Sequence, residues 1–285
     1  MRVSTNFTLP LATLLLGLLL VPPAALAGTT DCPVEPASGT AFATGDAFAG
    51  PNCTIYNNGD VDSFVFNANN GDIYQLAVGI NSVAAAATNI CLTLYNPSAV
   101  QIYSGCTSIN WPNYQNSVAT SQTLTASGTY TMLITETSST RVPPLNYVVS
   151  LERIYPFPPN GQQVNLNVRV PGNINLLTDS NAFTFESVTT GTYLVSATLP
   201  GNASTNLCLT VFLTNGTPLP YNCTSIDWPN YNNTAHVQFT PPQNGSSMAF
   251  LGVAGNDGIA TYNLEVSCVV GTCTQDTRPL TKKAP

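Results

Sequence analysis

Cys106-Thr-Ser-Ile-Asn-Trp-Pro-Asn-Tyr114 returns later in the chain as Cys223-Thr-Ser-Ile-Asp-Trp-Pro-Asn-Tyr231, with eight of nine residues identical at an offset of 117. Upstream, Asn89-Ile-Cys-Leu-Thr-Leu-Tyr95 matches Asn206-Leu-Cys-Leu-Thr-Val-Phe212 at the same offset. In each copy the two cysteines stand 15 positions apart, and Gly128 precedes Gly245 by the same 117. Solenoid repeats run about 20–50 residues, so a period this long marks a duplicated domain.

The segments around this repeat alternate apolar and polar residues with a period of two, the pattern of half-buried strands. In the first copy the apolar positions are Phe64 and Phe66, then Tyr74, Leu76 and Val78, Leu92 and Leu94, and Tyr130, Met132 and Ile134. The second copy supplies Val164, Leu166, Val168 and Val170, then Phe183 and Phe185, Tyr193 and Val195, and Leu264 and Val266. Asn, Gly, Asp and Pro punctuate the runs, and no stretch after the first residues carries a helical stripe. The pattern predicts an all-β protein of two tandem antiparallel β-sandwiches, jelly-roll-like and stapled by disulfides.

The cysteines supply the staples. Asn215-Gly216, the strongest short hairpin signal, lies midway between Cys208 and Cys223, so folding there sets the two cysteines opposite each other. Folding about Ser98-Ala99 does the same for Cys91 and Cys106, and elimination leaves Cys32 with Cys53 and Cys268 with Cys273. Pro218 and Pro220 fall in the returning strand of the second hairpin, which predicts an edge strand or one that ends early.

Residues 1–27 read as a secretory leader: Arg2, an apolar run from Leu11 to Val21, then Ala24-Ala25-Leu26-Ala27. The run is shorter than the roughly 20 residues a bilayer span needs, so no membrane span is expected in the mature chain. A secreted or cell-surface location follows, and eight cysteines in an even set suit it. The remaining divisions are residues 28–153 for the first sandwich, 154–161 for a proline-rich linker, 162–268 for the second sandwich, and 269–285 for a tail.

Only 7% of residues are charged, and loss of Arg2 with the leader leaves six basic residues against 14 acidic ones. Such a surface offers no basic patch to a phosphate backbone, so nucleic acid is not an expected partner. A single histidine, His236, sits in an alternating strand, and neither a Gly-x-Ser-x-Gly nor a His-Glu-x-x-His motif occurs. The expectation is a protein that is not an enzyme.

Two constellations remain. Trp111 and Tyr114, with Trp228 and Tyr231, place flat aromatics beside amides, a chemistry suited to stacking on sugar rings or on another protein surface; packing over the disulfide is the competing use. Asp60 and Asp62, near Asn57 and Asn58, offer hard oxygen ligands for Ca²⁺, while a plain turn before a strand explains them as well. No other cofactor is expected. Asn-x-Ser/Thr triplets begin at Asn52, Asn202, Asn215, Asn222, Asn232 and Asn244.

Each copy resembles the bacterial pre-peptidase C-terminal (PPC) domain. The matching residues in the first copy are Asp60-Val-Asp62-Ser-Phe64-Val-Phe66, Gly71-Asp-Ile-Tyr74, Leu92-Thr-Leu94-Tyr95, Gly128-Thr-Tyr130 and Asn146-Tyr147. In the second they are Asp179-Ser-Asn181-Ala-Phe183-Thr-Phe185, Gly191-Thr-Tyr193, Leu209-Thr-Val211 and Tyr262-Asn-Leu264. The resemblance implies a jelly-roll-like sandwich and, since some members bind calcium near the domain start, agrees with Asp60 and Asp62 as Ca²⁺ ligands. Two departures matter. The hairpin disulfide with its Trp-Pro-Asn-Tyr sequel lies outside the family pattern, and no peptidase domain is present. The implied role is an accessory or binding module for an extracellular polymer or protein surface, polysaccharide included. The alternative is a self-associating structural subunit of a filament, sheath or surface layer.

Overall fold

The computed structural model describes residues 29–30, 32, 39–44, 46–56, 59–80, 88–109, 115–137, 144–158, 161–201, 203, 205–226, 231–254 and 260–273. The regular structure among them is β-sheet, and no helix is long and apolar enough to cross a membrane. The leader of residues 1–27, Trp111, Tyr114 and Trp228 lie outside the described residues.

The first half contributes β1 (Thr29–Thr30), β2 (Thr40–Ala41), β3 (Asp46–Ile55), β4 (Asp62–Ala68) and β5 (Ile73–Gly79). It continues with β6 (Ile90–Tyr95), β7 (Gln101–Cys106), β8 (Ser117–Thr123), β9 (Gly128–Glu136) and β10 (Leu145–Tyr155). The second half contributes β11 (Gln162–Gln163), β12 (Arg169–Ile174), β13 (Ser180–Ser187), β14 (Gly191–Thr198) and β15 (Asn206–Phe212). It ends with β16 (Asn222–Cys223), β17 (Thr234–Phe239), β18 (Gly245–Ala254) and β19 (Ala260–Gly271).

Four sheets result. Sheet I has the order β2-β4-β9-β6-β7 and sheet II the order β1-β3-β10-β5-β8. Sheet III is β11-β13-β18-β15-β16, and sheet IV is β12-β19-β14-β17. Positions 117 apart take equivalent places: Val78 faces Val149 across β5 and β10, and Val195 faces Val266 across β14 and β19.

Alternation decides what each sheet buries. Phe64, Phe66, Leu92, Leu94, Tyr130 and Met132 of sheet I meet Tyr74, Leu76, Val78, Val149 and Leu151 of sheet II in one core. Phe183, Phe185, Leu209 and Leu251 of sheet III meet Tyr193, Val195, Val237, Tyr262 and Leu264 of sheet IV in another. This is the sandwich construction that the period-two pattern dictates.

The cysteine pairs form as the hairpins require. Cys91 faces Cys106, and Cys208 faces Cys223, each pair with Cα atoms 4.0 Å apart. Cys32–Cys53 and Cys268–Cys273 close the remaining two bridges. Proline separates the two hairpins. The returning strand β7 runs through six residues, whereas Pro218 and Pro220 leave only Asn222–Cys223 as β16 at the edge of sheet III.

A third cluster lies between the sandwiches. The outward residues of β10, which are Val148, Ser150, Glu152 and Ile154, are all buried, although they point away from the first core. Ile154, with Ile73 and Phe157, packs on Phe212, Met248 and Phe250 from the outward face of sheet III. The order of layers is therefore I, II, III, IV, with sheets II and III face to face. Ile154 and Tyr155 belong to β10 itself, so the strand runs into the segment read from sequence as a linker.

Candidate functional site

Two equivalent loop bases are the most regular feature outside the cores. In the first half, Asn89 Oδ1 accepts from the Ile109 amide at 2.7 Å, and Thr107 Oγ1 accepts from the Ile90 amide at 2.9 Å. Ser108 and Gln115 exchange two backbone hydrogen bonds, each 2.9 Å, which brings the two ends of the intervening sequence together. In the second half the same parts recur. Asn206 Oδ1 accepts from the Ile226 amide, Thr224 Oγ1 accepts from the Leu207 amide, and Ser225 and Asn232 exchange two bonds of 2.7 Å. These contacts explain why Asn, Thr, Ser and Ile recur at fixed places around both cysteines: each fixes a strand end or a loop stem.

Of the four aromatic candidates, only Tyr231 lies among the described residues. It is half exposed, and its hydroxyl donates to the Gly201 carbonyl at 2.9 Å. Tyr221, just before β16, is 73% exposed. Sequence reasoning missed Tyr221. Its signal was the pair of prolines just upstream, which keep this segment off the full ladder and leave the ring without a sheet face to cover it.

Asp60 and Asp62 have protein partners. Asp60 Oδ2 accepts from the Tyr56 amide at 2.8 Å, and Asp62 Oδ2 accepts from the Tyr147 hydroxyl of β10. Asn57 and Asn58 lie outside the described residues, and among the described residues no group of three acids, cysteines or histidines gathers as a metal would need. His236 is exposed on β17, opposite Ser196.

A second polar cluster lies where sheets II and III meet. Ser150 Oγ donates to the Thr178 carbonyl at 2.5 Å, tying β10 to the turn before β13. Glu152 accepts from Thr44 Oγ1 at 3.3 Å and sits near Asp179. Burial pushes the Glu152 carboxyl up to about 8, the Thr44 hydrogen bond opposes that rise, and the Asp179 charge adds to it. Burial likewise lifts Asp179 to about 6, against the backbone amides of Ser180 and Asn175. These two acids lie one on each side of the junction between the sandwiches.

Beside that cluster, the outward faces of sheets II and III diverge into a cleft of about 470 Å³. Gln75, Ser121 and Thr123 line one side, and Thr210, Phe212 and Phe250 line the other.

No protein-family model matches this chain, and no curated protein matches it. Several solved structures are similar in part. The pre-peptidase C-terminal domain of a collagenase from Bacillus anthracis aligns at 16% identity and a TM-score of 0.29, covering 38% of this chain and 96% of that one. The CBM22-1-CBM22-2 tandem domain of Paenibacillus barcinonensis Xyn10C aligns at 8% identity and a TM-score of 0.24, over 78% of this chain and 95% of that one. The PBSX exported protein XepA aligns at 11% identity and a TM-score of 0.25, over 82% of this chain and 89% of its own length.

Proposed function

We propose that this chain is a secreted, non-catalytic binding protein whose two sandwiches each present a Trp-Pro-Asn-Tyr loop to an extracellular polymer, polysaccharide foremost. The observation that carries the reading is the pair of loop bases. Asn89 and Thr107 in one half, and Asn206 and Thr224 in the other, make the same hydrogen bonds to the residues that lead into the repeated sequence. The rings of Tyr221 and Tyr231, in the same half of the chain, are exposed and offer faces for stacking. Four disulfides suit an oxidising compartment outside the cell.

Two loops on one chain turn a weak contact into a bivalent one, which raises overall affinity by roughly 10²–10⁴ when both engage together. The test is retention of the protein on insoluble cellulose, chitin and xylan. Wild type is expected to be retained, Trp111→Ala or Trp228→Ala to weaken retention, and the double variant to lose it. Failure of wild type to bind any insoluble polymer would overturn the reading.

A further inference from the structure

The cleft between sheets II and III is not accounted for by the loops or by the acids of the junction. It opens between strands β5 and β8 of one sandwich and strands β15 and β18 of the other. Its volume of about 470 Å³ falls within the roughly 300–1,000 Å³ of small-molecule sites.

The two walls differ in chemistry. Gln75 and Ser121 are register partners across β5 and β8, and Thr123 stands one pleat further along, opposite Ile73. Together with Thr210 these four side chains face the cleft, and none makes a hydrogen bond to another described residue, so an amide and three hydroxyls are left to a ligand or to water. Against them stand the rings of Phe212 and Phe250, packed edge to face with centroids 6.1 Å apart. No lining residue carries a charge; Glu152, the register partner of Gln75 on β10, does not line the cleft.

Glycine keeps the space open. A Cβ built on Gly252 meets nothing within 4 Å, although this residue lies in β18 between Ser180 and Cys208. The position 117 earlier, in β9, is Thr135. The outward face of β18 therefore carries a gap at Gly252 that its counterpart lacks.

We propose that this cleft is a second binding site, taking a short segment of an uncharged, hydroxyl-rich saccharide. A pyranose ring has an apolar C–H face and a rim of hydroxyls that both donate and accept. Pro218, with the small part of Phe212 and Phe250 that the junction leaves uncovered, gives the first an apolar contact, and the amide of Gln75 with the hydroxyls of Ser121, Thr123 and Thr210 match the second. A charged sugar would find no counter-ion on these walls. The proposal goes beyond the loop-borne binding above and rests on its premise that the polymer is a saccharide.

The experiment uses the full chain and soluble oligosaccharides, so that it reports on the cleft independently of insoluble-polymer retention. Cellohexaose, xylohexaose, mannohexaose and chitohexaose are titrated against isotopically labelled protein and followed by amide shifts, with an oligogalacturonate as charged control and a pool of uncharged peptides as a second control. At least one neutral hexasaccharide is expected to shift the amides of Gln75, Ser121, Thr210 and Gly252. Gly252→Val fills the gap with a residue that suits a strand and is expected to weaken that binding roughly tenfold or more. Thr135→Val, the matched change on β9, and Trp111→Ala with Trp228→Ala are expected to leave the cleft response intact. No response to any neutral saccharide, a response to the peptide pool alone, or binding undiminished in Gly252→Val would each overturn the proposal. Failure of the wild type to be retained on insoluble polymer, with an intact cleft response, would count against the loop reading instead.

Discussion

The same sheet face meets two different fates in the two halves. Sheets II and IV are equivalent, yet the outward face of sheet II is covered by the second sandwich while that of sheet IV faces water. Val148, buried at the junction, has as its counterpart Glu265, which pairs with the exposed Arg169 at 3.6 Å. Sheets I and III repeat the contrast. Phe212, Met248 and Phe250 of sheet III pack on the first sandwich, whereas the corresponding residues of sheet I are Tyr95, Thr131 and Leu133, all partly exposed. Apolar residues occupy the covered faces and polar or smaller ones the solvated faces, at matched positions of one fold. The lesson is that one fold carries different outward faces at matched positions, according to whether a neighbouring sheet covers them.

The sharpest way to break that comparison is to truncate the same position on both faces. Phe250→Ala removes a ring that contacts Phe212 and the Ile154 cluster, and is expected to cost about 3–5 kcal/mol. Leu133→Ala, at the equivalent place on the solvated face, is expected to cost well under half of that, because a partly exposed side chain leaves no enclosed cavity. Denaturant unfolding of the two variants measures the difference. Equal costs would mean that sheets II and III are not packed as a core.

Glu152 inverts the pattern and makes the junction sensitive to pH. It is a buried acid on the covered face, where the solvated face has the exposed Val269. Its carboxyl sits at about 8 in the folded chain, against an ordinary value near 4.5, so between these limits the folded state holds a proton that the unfolded chain releases. That stabilisation is complete below about pH 4.5 and is lost as pH rises through about 8. Asp179, lifted to about 6, acts in the same direction over a lower range. The carboxylate loses about 2–4 kcal/mol across the window, with the neighbouring Arg153 opposing the loss. Unfolding free energy is expected to fall from pH 5 to pH 8 in wild type, and to fall less steeply in Glu152→Gln. A slope unchanged by the substitution would show that this acid titrates normally.

Much of this architecture was legible in the chain. Alternation at Phe64-Val-Phe66 and Tyr193-Leu-Val195 predicts strands buried on one face, and the cores contain those residues. The hairpin signals placed Cys91 opposite Cys106 and Cys208 opposite Cys223, because the register of a hairpin is a local property. What stayed hidden was the third layer contact. Val148, Ser150, Glu152 and Ile154 read as an ordinary mixed outward face, since burial there depends on a neighbour more than 20 residues away in sequence. The same limit applied to the candidate site. The Trp-Pro-Asn-Tyr segments stood out by repetition, whereas the cleft draws Gln75, Ser121 and Phe250 from distant strands and has no signature in any one stretch.

The smallest expected effect separates the two hairpin turns. Both halves place a residue with positive φ at the same point: Ala99 at 57° and Gly216 at 79°. Asn96 steadies the first turn by accepting from the amides of Ser98 and Val100, and Asn215 steadies the second through the Thr217 amide. A left-handed conformation costs a side chain about 1–2 kcal/mol, while glycine loses about 0.5–1 kcal/mol more than alanine in chain entropy on folding. Relief of strain wins by a small margin, so Ala99→Gly is expected to stabilise the chain by about 0.5 kcal/mol, seen as a higher urea midpoint with unchanged slope. The reverse change, Gly216→Ala, meets Tyr155 as well as the backbone strain, since its Cβ would lie 2.8 Å from the ring. It is expected to destabilise by about 1–2 kcal/mol. Were the two substitutions to have effects of equal size and opposite sign, the contact of Gly216 with Tyr155 would carry no weight, and only the turn itself would distinguish the copies here.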